Sequence, residues 1–137
     1  QVLDIQKVSP ISRLHVTLTL LVIVVGTFVT GTGPHAGDAQ APRLHLDLPF
    51  VAKSHGALVA LVIALTIYLH TQSTNADLKK WLSLFLFIAT AQGALGVIQY
   101  LQGVPQLLVA LHLVGATLTW LAAWRIFLSQ KFATTTN

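Results

Sequence analysis

Four runs of predominantly apolar residues, each close to the ~20 needed to cross a ~30 Å hydrocarbon core at about 1.5 Å per residue, dominate the chain. They are Leu14 to Gly33, Phe50 to His70, Trp81 to Leu101 and Pro105 to Leu128. The sequence therefore predicts an all-α, polytopic membrane protein, a single four-helix domain over residues 1–137. Composition agrees: 54% of the residues are hydrophobic and only 9% charged, against roughly a quarter charged in soluble domains. Too little polar surface remains to cover a soluble fold. Disorder, nucleic-acid binding and an ordinary cytosolic enzyme are excluded. Cysteine is absent, which removes disulfides, thiolate metal sites and a cysteine nucleophile.

The connections are a Gly- and Pro-rich polar loop from Gly33 to Pro49, a second polar loop from Thr71 to Lys80, and a tight turn at Gln102, Gly103 and Val104. Charge placement sets the expected orientation. Lys7, Arg13, Lys79, Lys80, Arg125 and Lys131 fall on one side of the spans, and Arg43 and Lys53 on the other. By the positive-inside rule both termini are cytoplasmic and the first loop is external. The chain contains no methionine, so residue 1 is not a translation start. With a cytoplasmic N-terminus, the expected upstream segment is more membrane protein rather than a cleaved secretory signal.

A faint repeat relates the two hairpins. Span one ends with Gly26 to Pro34 and span three with Gly96 to Pro105, and each is followed by a span with one histidine near its outer end. Two such hairpins in one orientation imply a pseudo-two-fold axis along the membrane normal, with spans two and four as equivalents.

Ionisable groups inside spans mark function by default. His15 and His70 fall at the cytoplasmic ends of spans, where headgroup hydration is expected, and His35 and His45 fall in the outer loop. His55 and His112 are different, because they lie at one depth on the two spans that the repeat pairs. Two neutral imidazoles facing each other across a bundle are the arrangement that axially ligates a haem iron. Structural or proton-handling histidines are the alternative. Gly56 beside His55, and Gly115 and Ala116 on the His112 face, leave room for a flat macrocycle; Ser54 and Thr119 flank the two histidines. Gly26, Thr30 and Gly33 on span one, with Gln92, Gly96, Gln99 and Gly103 on span three, form stripes that read as close helix packing. Gln99 is nearest the histidine level and is a candidate contact to a haem edge. Haem propionates favour a wet end and a cation; Arg43 forks onto a carboxylate, whereas Lys53 snorkels.

The segments Gly26-Thr27-Phe28-Val29-Thr30-Gly31-Thr32-Gly33-Pro34-His35-Ala36-Gly37-Asp38, Ala41-Pro42-Arg43-Leu44, Gln92-Gly93-Ala94-Leu95-Gly96-Val97-Ile98-Gln99-Tyr100, Gly103-Val104-Pro105 and Ala110-Leu111-His112-Leu113-Val114-Gly115-Ala116, with His55 heading span two, resemble the C-terminal half of bacterial haem A synthase, its actinobacterial form in particular. The resemblance covers nearly the whole chain. It implies an eight-span protein of two related four-helix halves that oxidises the C8 methyl of haem O to the formyl of haem A for aa3-type oxidases. The N-terminal half would then carry the catalytic histidine pair and a required glutamate. This half would hold a b-type haem through His55 and His112, with no catalytic residue of its own. Implied partners are that catalytic half, in the same polypeptide or a second subunit, haem O as the substrate of the full enzyme, haem O synthase, and the lipid bilayer of a bacterial plasma membrane. Two departures stand out. Many members carry a cysteine pair in an outer loop and this chain has none, and it has no glutamate, since its four acidic residues are Asp4, Asp38, Asp47 and Asp77. The alternatives are a free-standing bis-histidine b-type cytochrome acting as a membrane anchor in quinol-linked electron transfer, and a non-redox accessory or transport module.

Overall fold

A computed structural model of the protein describes residues 9–33 and 42–131. Asp4, Lys7, Pro34, His35, Ala36, Gly37, Asp38 and Ala41, on which parts of the sequence reading fall, lie outside the described residues. Four helices follow one another: α1 (Pro10–Thr32), α2 (Leu48–Gln72), α3 (Ala76–Leu101) and α4 (Gln106–Lys131). All four are long and apolar enough to span a membrane. The described residues contain no strand.

Capping chemistry, more than hydrophobicity, sets where the helices begin. Ser9, Asp47 and Asn75 stand in extended conformation at the N-caps. Their side-chain oxygens accept from the backbone N–H of Ser12 at 3.3 Å, Phe50 at 2.7 Å and Leu78 at 3.0 Å. Pro10 is the first residue of α1 and Pro49 the second of α2, in the first turn where a missing N–H costs nothing. Consequently α1 and α3 start four and five residues before the apolar runs do (residues 10 against 14, and 76 against 81), and Asp77 belongs to the first turn of α3 rather than to a loop. The turn at Gln102 to Val104 forms as expected. Gly103 and Val104 both take positive φ, 73° and 64°, and the Val104 N–H donates to the Gln99 carbonyl at 2.8 Å.

Consecutive helices pack side by side, and α4 closes the ring against α1. The diagonal pairs, α1 with α3 and α2 with α4, make no backbone approach. Around the outside, Phe50, Phe87, Leu101, Leu107 and Val114 are more than half exposed. An apolar exterior of this kind suits lipid rather than water.

The interior is uneven. Its packed core, made of Val62, Leu69, Leu82, Phe85, Ala89, Ala122, Ala123 and Ile126, is confined to the end where α1 begins, α4 ends and α2 connects to α3. Called here the terminal end, it also holds buried Ser12, His15, Thr19 and Thr66. His15 corrects the expectation of a hydrated interfacial side chain. It is 1% exposed, its Nε2 is 2.9 Å from Thr66 Oγ1, and its ring meets Phe85 edge-on at 4.8 Å. The reason is register: His15 lies three residues beyond Ser12 and four before Thr19, on the stripe of α1 that faces the bundle. His70 is partly exposed and bonds Ser83 Oγ at 3.1 Å.

The two hairpins repeat in three dimensions. A shift of 70 positions, as from Gly26 to Gly96, superposes the burial pattern of residues 11–29 on that of residues 81–99 without a mismatch. Ser12, His15 and Thr19 of the first hairpin thus correspond to Leu82, Phe85 and Ala89 of the second, all six buried. On the return helices a shift of 57 carries His55 to His112, Thr66 to Ala123 and Leu69 to Ile126. The polar half of the core belongs to the first hairpin alone.

Candidate functional site

At the opposite end the helices enclose few fully buried side chains, and there the two paired histidines sit. His55 is seven residues into α2 and His112 six into α4, counting from Leu48 and Gln106. Both are therefore about 10 Å along antiparallel-to-α1 helices that start at the same end of the bundle. α2 and α4 are diagonal partners, so the imidazoles approach from opposite corners of the square.

Each ring rests on a glycine of the preceding helix. A Cβ placed on Gly26 of α1 would stand 3.1 Å from His55 Cε1, and one on Gly96 of α3 would stand 3.4 Å from His112 Cε1. Gly26 and Gly96 are the same position of the repeat, as are His55 and His112. Nδ1 of His55, like Nδ1 of His112, is buried without a partner.

Two carboxamides complete the interior wall on α3. Gln92 and Gln99 are half-buried, and Oε1 of each is buried without a hydrogen bond. The Gln92 amide lies in the notch left by Gly115 of α4, where a Cβ would collide with it. Thr119, one turn further along α4, is tied to the Gly115 carbonyl at 2.9 Å. On the first hairpin the positions equivalent to Gln92 and Gln99 are Val22 and Val29. The site is thus symmetric in its imidazoles and asymmetric in its surroundings.

Of the residues singled out in the sequence, the structure brings His55, His112, Gln99 and Gly115 to one end of the interior. Arg43 is half-buried in the described part of the α1–α2 loop. That segment is fastened to the same end of the bundle by the Leu44 N–H, which donates to the Gly31 carbonyl at 2.9 Å. Gly56 does not belong to the site. It is exposed, with nothing within 4 Å of a Cβ built on it. The glycine that makes room for His55 is Gly26, from the neighbouring helix. The sequence alone assigns Gly26 and Gly96 to close helix packing; the signal that identifies them as histidine seats is the recurrence of a glycine at the same register before each histidine-bearing span.

Buried polar groups are normally paired; at this end of the interior Nδ1 of His55 and His112 and Oε1 of Gln92 and Gln99 are left without a partner. Among the described residues no group of three or more His, Cys, Asp or Glu side chains converges to hold a bare metal ion. Two imidazoles do suffice for a metal whose equatorial positions are already filled by a macrocycle. The donor set, two imidazoles on diagonal helices with carboxamides on α3 and, among the described residues, no carboxylate inside the bundle, is of a kind that fits haem. The chain matches no protein-family model, no curated protein and no solved structure.

Proposed function

We propose that this chain is the half of a haem A synthase that holds a b-type haem, with His55 and His112 as the axial ligands. The observation that carries the reading is the seating of both imidazoles on Gly26 and Gly96, equivalent positions on diagonal sides of a bundle whose packed core stops short of them. His55 and His112 bind; Gly26 and Gly96 let their rings fold against α1 and α3 and fix their height. Gln99 would contact the edge of the group and Arg43 its propionates at the wet end, while Gly115 gives its space to the Gln92 amide. Haem bound there supplies one-electron chemistry. Orientation follows the charges: Arg13, Lys79, Lys80 and Arg125 mark the terminal end as cytoplasmic in a bacterial plasma membrane, and the haem end opens outward.

Oxidation of the haem O methyl needs a group that manages protons beside the substrate. In the described residues the carboxylates are Asp47, which caps α2, and Asp77, in the first turn of α3, neither of them inside the bundle. The catalytic step is therefore assigned to a separate N-terminal half, in the same polypeptide or a second subunit. Expressed alone with a haem O synthase, in cells lacking any other haem A synthase, the chain is expected to bind haem and make no haem A. Co-expression with a catalytic half is expected to restore conversion. Haem A formed by this chain alone would overturn the assignment of catalysis to a separate half.

A further inference from the structure

The histidines occupy equivalent places, but only His112 has a side-chain carboxamide one turn away. Gln92 precedes Gly96, the seat of His112, by four residues, and its amide lies against Gly115, three residues beyond His112 on α4. Gln92 Oε1 and His112 Nδ1 are both buried and both lack a partner. One is an acceptor without a donor; the other, in the tautomer that leaves Nε2 to a metal, is a donor without an acceptor. Beside His55 the equivalent residue is Val22, which offers only its backbone.

We propose that Gln92 is a positioning residue for His112, turning its carbonyl oxygen to accept from Nδ1–H when Nε2 is ligated. The inference rests on the haem reading of the site. An acceptor at the outer nitrogen fixes the tautomer and ring plane and makes the imidazole a stronger donor, which favours the ferric state. The two axial ligands are then unequal, His112 being the stronger. Leaving the notch at Gly115 costs Gln92 a packing contact and removes two unpaired buried atoms together.

The test is a redox titration of the purified haem-loaded protein with its absorption spectrum recorded throughout. Gln92→Met and Gln92→Leu keep an apolar filler at Gly115 and remove the acceptor. Both are expected to retain low-spin haem and to titrate at higher potential than the parent, while Gly56→Ala, outside the site, titrates with the parent. An unchanged potential in either haem-loaded Gln92 variant overturns the proposal and leaves the haem reading intact. So does loss of haem from both variants, which would make Gln92 a structural filler. Absence of haem from the parent protein overturns the haem reading, and the role of Gln92 with it.

Discussion

Gly26 lies directly beneath the imidazole of His55, so close that a methyl group in place of its hydrogen would stand 3.1 Å from Cε1. Gly96 bears the same relation to His112 at 3.4 Å. The difference of a few tenths of an ångström separates a contact that must be relieved from one near ordinary van der Waals distance. Gly26→Ala is therefore expected to displace the His55 ring and lower haem occupancy, and Gly96→Ala to do so less. Gly56→Ala, with open space around it, serves as the neutral control. Haem-to-protein ratio after purification measures all three, and equal occupancy in Gly26→Ala and Gly56→Ala would remove the seating argument.

The terminal-end core makes a separate prediction. Thr66→Val keeps shape and removes the hydroxyl that pairs with His15 Nε2 at 2.9 Å. An orphaned buried polar group costs about 1–3 kcal/mol, so thermal unfolding in detergent should shift downward while the haem spectrum stays unchanged. A spectrum altered by Thr66→Val would mean that the two ends of the bundle are not independent.

Val104 holds a φ of 64° in the α3–α4 turn. The left-handed region costs an L-residue about 1–2 kcal/mol, and a β-branched side chain suits it poorly. Val104→Gly should accordingly raise stability by about 1 kcal/mol, less the entropy that a glycine adds to the unfolded chain. Destabilisation by this substitution would show that the Val104 side chain, which faces Gly33 at 3.9 Å from the built Cβ, contributes packing that outweighs the strain.

Sidedness is open to chemical labelling. His45 and Thr74 are exposed in the two loops at opposite ends of the bundle. With both termini cytoplasmic, His45→Cys in intact cells should react with an impermeant thiol reagent and Thr74→Cys should not, the native chain having no cysteine to interfere. The reverse pattern would invert the topology and the outward opening of the haem site.

The helices were legible in the sequence because hydrophobic length is a direct physical requirement of the bilayer; their first residues were not, because Ser9, Asp47 and Asn75 start them by capping. His55 and His112 stood out through matched depth on spans that the repeat pairs. Their seats did not, since the contact between Gly26 and His55 crosses between helices and local sequence points to Gly56 instead. The burial of His15 is hidden in the sequence for a related reason: distance from the span boundary reports depth, and only the rotation shared with Ser12 and Thr19 reports that it faces inward.

Whether His55 and His112 together hold one haem is read out by absorption and low-temperature electron paramagnetic resonance of the purified chain. One low-spin, bis-histidine haem per chain is expected, lost or converted to another ligation state in both His55→Ala and His112→Ala, and retained in His70→Ala. A protein that purifies without haem, or a low-spin signal unaltered in either of the first two variants, would contradict it.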